Sequence, residues 1–259
     1  METNKSSSRA FRNACYLGDL SRIQEAITTG TLTHTCHADI VAALFNAGAR
    51  VTTSTTESLP GNDLQQDPAI VRHYLDHGLD PNARLSNGEP LLPRLLNPAA
   101  ARELLAAGAD PNLCGPRGLP PLARALVSIH EPSTALLELY LEYGATLSSE
   151  LLFYSMRPRV QQAELKTRFL LDKGLDPNVT ADDWGTPLHF AAYAGKLNIA
   201  KLLLDAGADP TAVSGGRKTA GKTPAQAAER VTHVETRMAL LGLLECYSRR
   251  SSGEAIREG

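Results

Sequence analysis

The chain has little cysteine and no pattern in what it has. Its 259 residues hold Cys15, Cys36, Cys114 and Cys246, with no CxxC pair among them. That excludes a disulfide framework of the kind small secreted domains need, and it fits a reducing, intracellular setting, cytoplasmic or nuclear. A surplus of one charge is missing as well, since 26 basic residues stand against 28 acidic ones. A net charge of -2 gives no global field for nucleic acid or an anionic membrane, so neither is expected as a partner. No apolar run approaches the roughly 18 residues that cross a bilayer. The opening METNKSSSRAFRN is polar and lacks the apolar centre of a secretory signal. With 42% hydrophobic and 21% charged residues, the rest is ordinary globular material, enough for one elongated domain or two compact ones.

What the chain has is repetition. Six segments share one shape: IVAALFNAGARV (40–51), IVRHYLDHGLDPN (70–82), AARELLAAGADPN (100–112), LLELYLEYGATL (136–147), KTRFLLDKGLDPN (166–178) and IAKLLLDAGADPT (199–211). Their glycines, Gly48, Gly78, Gly108, Gly144, Gly174 and Gly207, are separated by 30, 30, 36, 30 and 33 residues. Each segment reads as a helix ending at its glycine. Ile70, Tyr74 and Leu75 ahead of Gly78, like Ile199, Leu203 and Leu204 ahead of Gly207, fall on one helical face. Glycine supplies the left-handed conformation that closes the helix, and the following Asp-Pro forbids continuation.

A partner helix is expected upstream of each. In WGTPLHFAAYAGKLNIAKLLLDAGADP (184–210), Thr186 is a natural N-cap and Pro187 suits the first helical position. Ala191, Ala192 and Ala194 keep that helix slim enough for close packing, and Gly195 turns the chain into the second helix. Related starts are EPLL (89–92), PPLA (120–123) and TPAQ (223–226).

A period near 33 residues carrying T-P-L-H, A-A-x-x-G, L-L-L and G-A-D-P resembles the ankyrin repeat, nearly completely at 184–210 and in degenerate form elsewhere. The resemblance spans residues 9–247. FRNACYLGDLSRIQEAITTG (11–30) looks like its first unit, and GKTPAQAAERVTHVETRMALLGLLECY (221–247) like its closing one. It implies an all-α solenoid of stacked helix-turn-helix units with hairpin-like fingers projecting from one edge. Units this small gain their stability from neighbours. Residues 1–8 are expected to form a disordered head and 248–259 a polar tail. The more degenerate stretch at 31–66 is expected to be less stable than 174–247. No further domain, whether kinase, DNA-binding module, F-box or membrane span, is expected in the chain.

One motif competes with that reading. GRKTAGKT (216–223) matches the phosphate-loop pattern G-x-x-x-x-G-K-[ST], in which backbone N–H groups cradle phosphates. Such a loop needs a buried strand before it, yet GADPTAVSG has one branched apolar residue. Pro224 also removes the N–H directly after the threonine. The repeat phase offers another account: Gly221-Lys222-Thr223-Pro224 stands where Trp184-Gly185-Thr186-Pro187 stands one unit earlier. Thr223 is then an N-cap, and the motif is a lengthened finger, read as a flexible basic loop. Arg217, Lys218 and Lys222 beside a helix start leave an anionic partner as an alternative.

Other candidates are weighed the same way. THTCH (33–37) brings His34, Cys36 and His37 together but lacks a fourth ligand and a second cluster for zinc. His73 and His77 lie four apart on a helical face, a spacing that suits a metal or two solvated surface histidines. Asp182 and Asp183 sit in an open finger without the shielding that acid–base catalysis requires. The resemblance assigns His189 to hydrogen bonds that tie neighbouring fingers. Trp184, the only tryptophan, is read either as a contact residue or as packing between fingers. The hydroxyl-rich loop TTSTTESLPGNDLQQ (52–66) and Arg249-Arg250-Ser251-Ser252 are modification candidates or plain connectors.

No catalytic residue, metal or cofactor is expected, and no small-molecule substrate. The expected function is non-enzymatic protein–protein interaction by a monomer, through finger residues Arg84, Asn87, Leu113, Arg117, Asp183, Trp184, Arg217 and Lys218 on the concave face. The alternatives are nucleotide or anion binding by 216–223, or a decayed repeat protein with only a structural role.

Overall fold

The computed structural model describes residues 37–46, 48, 50–52, 56–57, 59, 66–129 and 133–251. The expected unit at 11–30, the THTCH side chains, most of the 52–66 loop, the head and Ser252 lie outside them. The chain divides into two compact units, residues up to Ala125 with Ala135–Ala145, and Leu126–Thr134 with the residues from Thr146 onward.

The first unit holds α1 (His37–Asn46), α2 (Pro68–Asp76), α3 (Pro98–Ala106), the start of α4 (Pro121–Ser128) and α5 (Ala135–Glu142). The second holds α6 (Leu151–Ser155), α7 (Ala163–Asp172), α8 (Pro187–Tyr193), α9 (Leu197–Asp205), α10 (Pro224–Ala228) and α11 (Val234–Ser251). Among the described residues every regular element is helical. The only strand-like pairings among them are isolated bridges at Arg84–Pro90 and Ala181–Gly185, each closing a finger.

The closing glycines behave as the sequence predicts. Gly48, Gly78, Gly108, Gly144, Gly174 and Gly207 have φ of 95, 92, 97, 87, 89 and 94°. At Gly78 and the four that follow, two bonds tie off the helix, as in Gly207 N–H to Leu204 O at 3.0 Å and Ala208 N–H to Leu203 O at 2.9 Å. That is the paired closure a left-handed glycine permits. Proline opens α4, α8 and α10 as expected. The EPLL start differs from its siblings. It yields only a 3-10 turn, Leu92–Arg94, because Pro93 has no N–H to donate back and Pro98 already begins α3 from its Asn97 cap. Helix α6, with no proline to announce it, is not foreseen in the sequence.

In the second unit α6, α8 and α10 form one row and α7, α9 and α11 the other, each helix packing on its neighbour along the row and on its partner across the turn. The core between the rows is aliphatic, with Leu188, Ile199, Leu203, Ala227, Leu240 and Leu244 buried. In the first unit Leu91, Leu95, Leu104, Leu137 and Tyr140 play that part. Tyr140 donates its hydroxyl to Leu92 O at 3.2 Å, and burial raises its phenol above the ordinary value. Gln66, at the end of the irregular 52–66 loop, is buried and stitches Arg94 O and Asn97 into this core.

Candidate functional site

Each finger is set by local chemistry. Asp80, Asp110 and Asp176 accept the N–H two residues on, at 2.8 Å, which fixes the turn after every Asp-Pro. The asparagine that donates that N–H then reaches its successor. Asn82 donates to Gly108 O and accepts from Asp110 N–H; Asn178 does the same with Gly207 O and Asp209 N–H. Asn112 donates to Gly144 O at 2.9 Å. The fingers are therefore cross-braced within each unit.

In the first unit, Arg84 donates to Gly88 O at 2.8 Å and Cys114 O at 3.1 Å, bridging its own finger and the next. Asn87 accepts Glu89 N–H at 3.0 Å. Leu113 is half-buried, and Arg117 is exposed at a turn. Of these sequence candidates, Arg84 and Asn87 already serve the finger itself, while Arg117 projects into solvent.

In the second unit the remaining four candidates come together. Asp183 accepts Arg217 through Nε at 3.0 Å and through a terminal guanidinium nitrogen at 2.6 Å, with Lys218 Nζ at 3.9 Å. The main chain repeats the link, Arg217 N–H to Asp182 O and Lys218 N–H to Asp183 O, both 2.8 Å. Thr219 is fully buried and donates to Trp184 O at 2.8 Å. Gly216 allows the approach, since a Cβ there would lie 2.1 Å from Gly185 N. Trp184 is half-buried, its ring 4.6 Å from that of Phe190 and 4.9 Å from that of Tyr193, with Lys218 Nζ 4.2 Å from its centroid. It both packs between fingers and keeps a solvent edge.

This geometry answers the phosphate-loop question. Apart from that of Ala220, the N–H groups of GRKTAGKT are turned inward. Gly216 donates to Ser214 Oγ, Arg217 and Lys218 to the preceding finger, Thr219 to Gly216 O, Gly221 to Ser214 O, Lys222 to Thr219 O and Thr223 to Gln226. Thr223 caps α10, accepting Gln226 N–H at 3.4 Å. The loop is not the flexible basic segment expected from composition: it is a folded finger whose donors are committed to protein acceptors.

His189 is buried on α8. Its Nδ1 meets Thr186, and its Nε2 lies 3.0 Å from Lys222 O in the next finger. Burial lowers its basicity. His77 stacks on Phe45 at 4.2 Å rather than standing free beside His73. Among the described residues, no three His, Cys, Asp or Glu side chains gather as a metal site.

One residue was missed in the sequence. Lys166 stands eight positions before Gly174, where the other repeats carry Ile40, Ile70, Ala100, Leu136 and Ile199. It is fully buried, and its amine donates to Leu126 O and Ile129 O at 2.7 Å each, capping the last turn of α4. Burial pulls its pKa down to about 8. A charge in an otherwise apolar slot is the signal that marks it.

The family model described as ankyrin repeats (many copies) matches residues 160–226. The chain is an ankyrin-repeat protein. Its repeats are 44% identical over 72 residues to the mouse (Mus musculus) 2-5A-dependent ribonuclease, covering 27% of this chain and 9% of that one. The chain thus spans under a tenth of that relative. The human ASB11 ankyrin repeat domain superposes with a TM-score of 0.54 at 24% identity, covering 69% of this ankyrin-repeat chain and 77% of the domain. A chain from the complex of the Bdellovibrio bacteriovorus predatory endopeptidase Bd0816 with immunity protein Bd3460 superposes at 0.57 and 19% identity, covering 74% and 98%.

Proposed function

We propose that this ankyrin-repeat protein is a non-enzymatic binding module that holds another protein against its fingers and first-helix faces. The observation that carries the reading is the cross-bracing of adjacent fingers around Asp183, Arg217 and Thr219. A platform already ordered loses little conformational entropy when a partner docks. Arg117, Asp183, Trp184, Arg217 and Lys218 are the proposed contact side chains, with Arg84, Asn87 and Leu113 shaping the finger beneath. The Bdellovibrio structure, a complex between two proteins, is in keeping with this use of the fold. The free thiols of Cys114 and Cys246 support a reducing compartment.

Affinity capture with the wild-type chain, Trp184→Ala, Arg217→Glu and Arg117→Glu tests the proposal. The wild type recovers a defined set of proteins, and at least one substitution removes a member of it. An unchanged set in all three variants refutes the face, and an empty wild-type set returns the chain to a purely structural role. The nucleotide alternative is tested by calorimetry, where micromolar ATP binding abolished by Lys222→Ala would overturn the non-enzymatic reading.

A further inference from the structure

Building on that protein-binding reading, we propose that the second unit carries a docking surface for an acidic polypeptide segment, with Trp184 and Tyr193 as its apolar floor and Lys218 and Arg230 as its carboxylate anchors. Rings are scarce in this chain, with 7 tyrosines, 5 phenylalanines and 1 tryptophan. Four of them are nonetheless linked in one patch of the second unit. Phe153 lies 6.4 Å from Phe190, Phe190 4.6 Å from Trp184, and Trp184 4.9 Å from Tyr193. They come from α6, α8 and the finger at 181–186, one row of helices and its projecting loop. Only Phe190 is buried; Phe153, Trp184 and Tyr193 stay half-exposed, so the patch is not a closed core.

Two cations are held over this floor. Lys218 Nζ sits 4.2 Å from the Trp184 centroid, and Arg230 Cζ 5.3 Å from that of Tyr193. The chain has more acids than bases, yet among the described residues no carboxylate lies within 4.0 Å of the Arg230 guanidinium. Stacking over a ring leaves the edge of a guanidinium free, and that edge matches a carboxylate with two parallel hydrogen bonds. Lys218 shares Asp183 with Arg217, which holds that carboxylate far more closely, 2.6 Å against 3.9 Å. Its ammonium therefore keeps donors for a second acid. Both cations are positioned by the rings before any ligand arrives, and Trp, Tyr and Arg are the side chains that dominate binding energy at interfaces.

The same observations favour a polypeptide over a single-stranded nucleic acid. Bases bind by stacking on open ring faces, and the face of Trp184 lies under Lys218 while Phe190 and Tyr193 crowd its other sides. Asp182 and Glu229 are exposed in the segments that carry the anchors and repel a continuous phosphate backbone. Separate carboxylates between aliphatic side chains satisfy the two anchors and the floor together.

Because Trp184 is the only tryptophan, its emission reports on this surface alone. The full chain is titrated with a fluorescein-labelled peptide of Glu-Gly-Leu repeats, with the matching Gln-Gly-Leu peptide, and with a short oligothymidylate, reading anisotropy and Trp184 emission. The Glu peptide saturates and shifts the emission, the Gln peptide binds about tenfold or more weakly, and Arg230→Gln or Lys218→Gln each costs the Glu peptide about tenfold. Arg249→Gln, on α11, changes the affinity less than about twofold. Equal affinity for the two peptides, tighter binding of the oligonucleotide, or no binding of the Glu peptide up to about 1 mM overturns the proposal. Binding that leaves Trp184 emission unmoved also overturns it. Failure here with a positive protein capture removes only this surface and leaves the broader reading in place.

Discussion

The repeats closed by Gly174 and Gly207 share one plan, and three of their differences test what each slot requires. Eight residues before the glycine one has Lys166 and the other Ile199, and both are buried. Four residues after it, Asn178 reaches the next finger, whereas Thr211 bonds only to Asp209. The finger between the closing glycine and the proline that opens the next helix pair runs from Gly174 to Pro187 in one and from Gly207 to Pro224 in the other. The core slot thus requires burial and satisfied polar atoms rather than an apolar residue as such. Lys166 is accommodated because the last turn of α4 offers it carbonyls. The finger slot, likewise, tolerates extra residues when their amides find acceptors in the preceding finger.

The sharpest way to break this comparison is to exchange the slots. Ile199→Lys places an ammonium among Leu203, Leu240 and other aliphatics, and chemical denaturation should show a loss of about 3–5 kcal/mol, the cost of an unpaired buried charge. An unchanged midpoint would mean that any repeat interface accepts a lysine. Next in size is the long finger. Gly216→Ala drives a Cβ against the backbone of Trp184 and Gly185 and should cost about 2–3 kcal/mol. Gly215→Ala meets nothing within 4 Å and should stay within about 0.5 kcal/mol. Equal effects at the two glycines would show that the fingers are not in contact in solution.

The pH dependence of Lys166 follows in magnitude. Its folded pKa, about 8, lies below the 10.5 of the free side chain, so between these values the unfolded state binds the extra proton. Stability should rise as pH goes from 8 to 9.5, by roughly 2 kcal/mol at most, before tyrosine ionisation opposes it. Lys166→Met should abolish the rise, and a slope that persists in that variant would assign it to another group. The smallest effect concerns the finger rungs. Asn178→Ala should cost about 1–2 kcal/mol for two lost inter-finger bonds, and Thr211→Ala no more than about half of that.

The helix stops were legible because six glycines need the same left-handed backbone, and no other residue type meets that need as cheaply. Helix starts were legible where Thr-Pro or Pro-Pro announced them, and illegible at α6, which begins after Glu150 without a side-chain cap. The candidate surface was only half readable. Trp184, Asp183, Arg217 and Lys218 were singled out separately, but a contact across 34 residues depends on how two fingers of different length dock. Tyr193 and Arg230 went unnoticed because each looks ordinary within its own helix or turn. Lys166 could have been found from its slot alone.

In the first unit Asn82 holds the finger after its own, and Asn112 holds the closing glycine of the next repeat. A tensile load applied along the first unit would therefore meet these two rungs in series, one hairpin peeling away before the one behind it bears weight. In a single-molecule stretching trace that arrangement gives small successive releases in place of one cooperative rupture.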